Sequence, residues 1–155
     1  MTVAKRKQIL GLLTTSYNME LETVINYVAN SVHLDGIRAK HIKDSLAADV
    51  NEELTHAQAL AKRIKVLDGR VPGSQALKMT QKAMQPPKNP LDVKAVIKGV
   101  IAAEQGAIDQ YQKIIEACEG VDPVTQDLCT TLKGDEEEHH QMFKGFLAEA
   151  ESIKL

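Results

Sequence analysis

The amino-acid sequence predicts an all-α protein, a four-helix bundle folded as one domain over residues 1–155. Its composition favours helix, because Ala, Leu, Ile, Lys, Glu and Gln dominate and only 3% of the residues are aromatic. Apolar residues recur at helical spacings along four long stretches. One pattern of Glu, Tyr and His residues also occurs twice, once in each half of the chain.

The first predicted helix runs from about Lys5 to His33, and Asp35-Gly36 then marks a turn. The second helix continues to about Leu67 and ends at Asp68-Gly69. On each helix, residues three, four or seven positions apart form one apolar face that Glu interrupts. These faces comprise Leu13, Tyr17, Glu20, Val24, Tyr27 and Leu34 in the first helix, and Leu46, Val50, Glu53, Ala57, Leu60, Ile64 and Leu67 in the second.

A long crossover, residues 70–91, connects the second and third helices. Ser74 is a suitable N-cap for a short extra helix that reaches about Met84. The residues that interrupt regular structure in the crossover are Pro72, Gly73, Pro86, Pro87 and Pro90.

The third predicted helix opens at Asp92 and stops at Gly120. Asp122-Pro123 combines an N-cap with Pro at the first helical position, so the fourth helix begins there and runs nearly to Leu155. The inward faces comprise Val93, Ile97, Ile101, Glu104, Ile108, Tyr111, Ile115 and Cys118 in the third helix, and Cys129, Leu132, Glu136, His139, Phe143, Phe146 and Ala150 in the fourth.

The repeated pattern is a Glu followed seven positions later by a Tyr, and then by Glu-x-x-His on the next long helix. Its first copy is Glu20, Tyr27, Glu53 and His56, and its second copy is Glu104, Tyr111, Glu136 and His139. Seven residues make almost two helical turns, so each Glu shares a face with its Tyr. A Glu and a His three positions apart can reach the same ion.

The neighbouring registers are polar, which indicates that they face solvent. Glu137 and His140 share a register with Thr130, Lys133, Lys144 and Glu151. Glu52 shares one with Ser45, Asp49 and Arg63, and Glu22 shares one with Thr15, Asn18 and Asn26. The prediction is therefore that the Glu and His residues of the repeated pattern point inwards, whereas Glu52, Glu137 and His140 point outwards.

Four inward carboxylates predict a di-metal site. A single Glu-x-x-His is typical of a solvated pair, and a single inward Glu is typical of a salt bridge. Here no inward Lys or Arg is available, and burying four carboxylates together costs several kcal/mol per charge unless something neutralises them. Two divalent cations balance the charge in full. Oxygen-rich ligands with one imidazole per ion suit iron or manganese better than tetrahedral zinc, and the two tyrosines can donate hydrogen bonds to the ligating carboxylates.

The combined motif resembles the ferritin superfamily, whose di-iron members carry this ligand pattern in a four-helix bundle. Within the superfamily the chain is most similar to bacterioferritins and to Dps-like proteins with a bacterioferritin-type site inside each subunit. Three stretches look especially like the second group: Ala103-Glu104-Gln105, Asp122-Pro123 and 135–139. The resemblance implies that Glu20 and His56 hold one iron, that Glu104 and His139 hold the other, and that Glu53 and Glu136 bridge the two.

The resemblance further implies a ferroxidase that oxidises Fe²⁺ with O₂ or H₂O₂, for iron storage and protection against oxidative stress. Manganese or zinc could substitute for the two iron ions of each subunit. Haem is not expected, because Leu54 stands where bacterioferritins place a ligating Met after the second-helix Glu. The expected assembly is a hollow homo-oligomeric shell. Dps-like proteins form shells of twelve subunits and ferritins form shells of twenty-four. Twelve are favoured here, because the short helix predicted in the crossover is one that Dps-like subunits carry.

Other functions remain compatible with the sequence. A di-manganese catalase uses a similar carboxylate and His site. A rubrerythrin-like peroxidase is disfavoured, because the sequence carries no Cys-x-x-Cys electron-transfer module. A protein of a different class, a non-catalytic helical scaffold or an iron-delivery protein, is the remaining alternative.

Charge and composition disfavour several other partners. The net charge of −2 gives no general attraction to nucleic acid, and no run of about 18 apolar residues predicts a membrane span. Cys118 and Cys129 form no Cys-x-x-Cys pair, so they are predicted to be small buried packing residues. The basic start of the chain lacks the apolar core and cleavage site of a signal peptide, which favours a cytoplasmic location.

Overall fold

The computed structural model describes residues 1–153, and within them four long helices form an antiparallel bundle. They are α1 (Val3–His33), α2 (Ala39–Val66), α3 (Val93–Cys118) and α4 (Pro123–Ser152). No strand occurs in this part of the chain. The all-α prediction is confirmed. The predicted extension of the fourth helix towards Leu155 lies outside the described residues.

Side-chain caps begin three of the helices. Thr2 accepts a hydrogen bond from the Lys5 N–H at the start of α1, and the predicted cap Asp92 accepts one from Ala95. Asp122 caps α4 by accepting a hydrogen bond from the Thr125 N–H, with Pro following it. These bonds satisfy N–H groups that have no partner inside the helix.

The core consists of two apolar clusters, and the polar residues of the repeated pattern lie between them. Members of the first cluster include Ile9, Leu13, Leu60, Ile64, Ile114, Cys118, Cys129 and Leu132. Members of the second include Leu34, Ile42, Leu46, Met84, Val96, Ile97, Val100 and Phe143. Every long helix contributes to both clusters, so the stretch between them on each helix faces the middle of the bundle. Both cysteines are buried, as predicted.

The short helix predicted in the crossover begins at Ser74, as expected, but its predicted extension to about Met84 is wrong. The structure has only a single 3₁₀ turn at Ser74–Ala76. The backbone beyond it bonds to α1 instead of to itself. The N–H groups of Thr80 and Gln81 donate to the Glu22 carboxylate, at 2.8 and 2.6 Å, and the Asn30 side chain donates to the Met84 carbonyl at 2.8 Å. A helix would need those N–H groups for its own hydrogen bonds.

Glycine at position 99 lets the crossover lie directly on α3. A Cβ at Gly99 would stand 2.3 Å from the Ala83 carbonyl oxygen, closer than real side chains approach. Gly99 is itself buried within α3. The crossover is therefore fastened between α1, through Glu22 and Asn30, and α3, through this close contact.

The predicted solvation of the Glu22 register is also wrong. Glu22, Asn18 and Asn26 are only 5%, 7% and 5% exposed. The crossover covers this face of α1, and Asn26 donates to the Gln81 side chain at 3.0 Å. A polar register is thus buried because another segment satisfies its hydrogen bonds, which sequence periodicity alone does not distinguish from solvation.

None of the helices described for residues 1–153 combines the length and the apolarity that crossing a membrane requires.

Candidate metal centre

All six Glu and His residues of the repeated pattern are buried in the middle of the bundle. Each is between 1% and 8% exposed. Helices α1 and α3 contribute one Glu each, and α2 and α4 contribute one Glu-x-x-His pair each. These residues are Glu20 from α1, Glu53 and His56 from α2, Glu104 from α3, and Glu136 and His139 from α4.

The six side chains form two overlapping groups that could each hold one ion. One group is Glu20, Glu53, His56 and Glu136, and the other is Glu53, Glu104, Glu136 and His139. Within each group the potential ligand atoms all lie within 4.8 Å of one another. Glu53 and Glu136 belong to both groups. The arrangement therefore offers two adjacent sites with two carboxylates between them.

Glu20 belongs only to the first group and Glu104 only to the second, and a buried tyrosine donates a hydrogen bond to each of them. The Tyr111 hydroxyl donates to Glu20, and the Tyr27 hydroxyl donates to Glu104. Burial, and after it the nearby carboxylates, raise the pKa of both tyrosines well above the ordinary value. Both hydroxyls therefore keep their protons and remain donors at neutral pH.

The cluster brings four carboxyl groups together, and the charged groups that pair with them are imidazoles. Among the described residues, neither Lys nor Arg forms an ion pair with any of its four Glu; the partners are His56 and His139. Burial raises the pKa of Glu53 and Glu104, and neighbouring carboxylates raise it further. Burial opposes ionisation of Glu136 too, but the nearby imidazoles of His139 and His56 lower its pKa to about 2.

The carboxylates favour the charged form of the two imidazoles. Burial alone would lower the pKa of His56, but the Glu136 and Glu20 carboxylates raise it to about 11. Burial also opposes protonation of His139, and the Glu136 and Glu104 carboxylates raise its pKa to about 9. Both rings thus act as counter-cations to the glutamates in the metal-free protein, a role that divalent cations can replace.

Buried atoms without hydrogen bonds show that the donor set suits metal ions. Glu53 Oε1, Glu136 Oε2 and His139 Nδ1 are buried and have no hydrogen-bond partner. His139 Nδ1 lies 3.4 Å from Glu53 Oε1, so these two atoms face one another at ion-pair distance without a hydrogen bond. Leaving such groups unsatisfied costs about 1–3 kcal/mol each, and more for charged groups. Carboxylate oxygens with one imidazole per site match the preferences of iron and manganese.

Glu52 and Asp135 also reach the cluster, which the sequence prediction missed. Glu52 is partly exposed, as predicted, but its carboxylate lies 3.3 Å from His139 Nε2. Asp135 lies 3.2 Å from His56 Nε2. The signal available in the sequence is position, because each acid directly precedes a Glu of the cluster. Glu137 does face solvent and pairs with Lys133 at 3.4 Å.

Comparison with known proteins identifies the family. Residues 10–153 match the ferritin family, described as a Ferritin-like domain. The DNA protection during starvation protein of Pyrococcus furiosus is 27% identical over 145 residues, which cover 91% of this chain and 77% of that protein.

Two solved structures share the fold. One, described as ferritin-like, diiron-carboxylate proteins from Bacillus anthracis, has a TM-score of 0.79 and 22% identity, covering 95% of this chain and 99% of its own. The other is a dodecameric thioferritin, the bacterioferritin-related protein from Bacteroides fragilis, with a TM-score of 0.81 and 24% identity, covering 95% and 88%. Because the family match spans nearly the whole described chain, the protein belongs to the ferritin-like family.

Proposed function

We propose that this protein is a ferroxidase that binds two Fe²⁺ ions per chain in the buried cluster and oxidises them for storage. The observation that carries the proposal is the pair of overlapping Glu and His groups that share Glu53 and Glu136. Unpaired buried atoms on both shared residues support it, because they are available as ligands without breaking a hydrogen bond.

In this proposal the six residues have three roles. Glu20 and His56 would hold one ion, Glu104 and His139 would hold the other, and Glu53 and Glu136 would contribute to both sites. The four carboxylates balance the charge of two divalent cations. Burial, and after it the neighbouring carboxylates, raise the pKa of Glu53, and this charge balance would remove most of the repulsion from those carboxylates.

The bound Fe²⁺ supplies the electrons that reduce the oxidant, and the protein supplies geometry, charge and exclusion of water. Tyr111 and Tyr27 keep the Glu20 and Glu104 carboxylates oriented by donating hydrogen bonds to them. The apolar clusters on either side exclude bulk water from the middle of the bundle. The oxidised iron then leaves as cargo, which requires an enclosed volume outside the bundle.

For that enclosed volume we infer a shell of twelve copies. The crossover helix that favoured twelve subunits on sequence grounds is only the 3₁₀ turn at Ser74–Ala76, so it gives little support. Support comes instead from the shared fold of the dodecameric protein from Bacteroides fragilis. Three exposed apolar residues on α1, Ile25, Val28 and Val32, lie at helical spacing and offer a surface for contacts between copies.

The test is an anaerobic Fe²⁺ titration followed by separate additions of O₂ and H₂O₂. A ferroxidase consumes either oxidant only in proportion to the iron supplied. The expected result is oxidant consumption that stops when the Fe²⁺ is exhausted, with ferric product retained by the protein. Destruction of many H₂O₂ molecules per metal ion with release of O₂ would instead identify a catalase and contradict the proposal. Multi-angle light scattering of the metal-free protein tests the shell, and a monomeric or dimeric mass rejects it.

A further inference from the structure

A cleft of about 310 Å³ lies between α1, α3 and the crossover, which places it at the lower end of the size range of small-molecule sites. We call it the crossover cleft; its residues are Thr15, Asn18 and Met19 of α1, Ala102, Ala103 and Gly106 of α3, and 78 and 80–83 of the crossover. A Cβ at Gly106 would lie 3.8 Å from the Met19 methyl carbon of α1, an ordinary contact. The small residues of α3 therefore leave this space open.

The crossover cleft is separate from the metal cluster. None of the residues that line it belongs to either group of Glu and His ligands. Helices α2 and α4, which supply both histidines of the cluster, contribute no residue to the lining that the structure describes. A ligand of the cleft can therefore be studied in the metal-free protein.

Two lysines give the cleft a positive charge. Lys78 and Lys82 are both exposed, and none of the described residues that line the cleft is acidic. The ion pairs that Lys and Arg form within the described chain involve other side chains. Glu22 lies nearby, but it is buried, and its two oxygens already accept the Thr80 and Gln81 N–H groups. An anion in the cleft would therefore meet two ammonium groups without a competing carboxylate.

Asn18 supplies a buried polar group that has no partner. It is 7% exposed, and its Oδ1 is buried without a hydrogen bond. The other amide of the cleft is already engaged, because the Gln81 side chain donates to Thr23 at 2.8 Å and accepts from Asn26 at 3.0 Å. An amide oxygen only accepts hydrogen bonds, so Asn18 Oδ1 is complementary to an O–H or N–H donor on a molecule in the cleft.

We propose that the crossover cleft binds a small organic anion with at least two carboxylates and a hydroxyl, the hydroxycarboxylate class that includes citrate. The carboxylates pair with Lys78 and Lys82, and the hydroxyl donates to Asn18 Oδ1. A simple anion such as sulfate would neutralise the lysines but has no proton to donate to the amide oxygen. The inference goes beyond the proposed ferroxidase, because it assigns a ligand to a second site that needs no metal ion.

Calorimetric titration of the metal-free protein with citrate tests the proposal. Tricarballylate is the matched ligand, because it has the same carboxylates as citrate and lacks only the hydroxyl. Citrate should bind with a Kd of about 1 mM or better. Tricarballylate should bind about three- to tenfold more weakly, which is what one neutral hydrogen bond contributes, and sulfate more weakly than citrate as well. Citrate should also shift the side-chain amide signals of Asn18 in ¹H–¹⁵N spectra, and Asn18→Leu assigns these signals by removing them.

Variants of the lining separate the contributions of charge, hydroxyl and space. In Asn18→Leu citrate should lose its advantage over tricarballylate, because the acceptor is gone. Lys78→Ala and Lys82→Ala should each weaken citrate binding by about two- to fivefold. The matched control is Lys88→Ala, which removes an exposed lysine of the same crossover outside the cleft and should change nothing.

The open space beside α3 can be filled directly. Gly106→Leu places a side chain in the cleft and should abolish citrate binding, whereas Gly106→Ala adds a Cβ that makes only an ordinary contact and should retain it. Melting temperatures verify that each variant remains folded. If Gly106→Leu does not fold, the lysine variants and the comparison of citrate with tricarballylate still decide the question.

Three outcomes would overturn the inference. The first is that citrate produces neither binding heat nor a shift of the Asn18 signals at concentrations up to about 10 mM. The second is citrate binding that survives Gly106→Leu and both lysine variants, which would place it elsewhere on the protein. The third is sulfate or tricarballylate binding as tightly as citrate, which would show that Asn18 selects no hydroxyl. None of these results bears on the Fe²⁺ titration, so the cleft and the metal cluster are tested separately.

Discussion

The Tyr27 hydroxyl of α1 donates a hydrogen bond to the Glu104 carboxylate of α3, across 77 positions of sequence. Tyr111 of α3 makes the reciprocal bond to Glu20 of α1. Each tyrosine lies two turns from the Glu on its own helix and bonds to the Glu on the other. Each half of the chain therefore supplies the tyrosine that orients a carboxylate of the other half, and neither half forms the site alone.

Removing one of these hydroxyls should slow the chemistry without emptying the site. In Tyr27→Phe, Glu104 remains a ligand but loses the bond that orients it, so we expect two Fe²⁺ ions still to bind and oxidation to slow by about tenfold or more. Stopped-flow absorbance and anaerobic binding measure the two quantities. The control is Tyr17→Phe, whose hydroxyl donates to the Pro72 carbonyl instead. Complete loss of binding in Tyr27→Phe would show that the tyrosine is more than an orienting donor.

Two adjacent histidines on α4 test which face of the helix points towards the cluster. His139 is buried beside Glu53, whereas His140 belongs to a polar register. We expect His139→Ala to reduce anaerobic Fe²⁺ binding from two ions to one per chain, and His140→Ala to leave it unchanged. Isothermal titration calorimetry measures both. Equal losses in the two variants would refute the assignment of the inward face.

Sequence reasoning found the helices and the buried acids because both depend on local spacing. Helix α1 ends at His33, as predicted, and α3 ends at Cys118, two residues before the Gly120 that was predicted to stop it. Glu20 and Glu104 could be recognised because they interrupt apolar stripes. The same reasoning misjudged Glu22, since its partners are backbone N–H groups 58 and 59 positions away. Periodicity reports the neighbours along a helix, and it carries no information about a distant segment that covers the helix.

The attachment of the crossover gives a stability prediction. Glu22 accepts two backbone hydrogen bonds, and bonds to a charged group contribute about 1.5–3 kcal/mol each. We therefore expect Glu22→Ala to lower the free energy of unfolding by about 3 kcal/mol, measured by urea denaturation of the metal-free protein. Glu116→Ala removes an exposed acid from α3 and should change it by less than about 0.5 kcal/mol. Similar small effects in both variants would show that the Glu22 contacts do not hold the crossover.

The cap of α4 should contribute to stability in a pH-dependent way. Burial opposes ionisation of Asp122, but hydrogen bonds from Thr125 and Arg63 lower its pKa below the ordinary value. A carboxyl whose pKa is lower in the folded state stabilises the protein above its unfolded pKa, about 3.9, and loses that contribution as the pH falls through the folded value. Asp122→Asn should therefore be less stable than wild type by about 1–3 kcal/mol at pH 7.

That difference should shrink as the pH falls below about 4, because the carboxyl of the unfolded chain takes up a proton there and the folded one does so only at a lower pH. Comparing variant with wild type at each pH cancels the contributions of the other acids. Asp127→Asn, an exposed acid on the same helix, serves as the control and should show no such trend. A difference between Asp122→Asn and wild type that stays constant from pH 7 to pH 3 would contradict a role for the ionised cap.

Two ions should bind side by side within the buried cluster. Crystals soaked anaerobically with Fe²⁺ and measured at the iron absorption edge test it directly. We expect two anomalous peaks per chain, one beside Glu20 and His56 and one beside Glu104 and His139, with Glu53 and Glu136 between them. A single peak, or iron found only at the protein surface with the cluster empty, would contradict it.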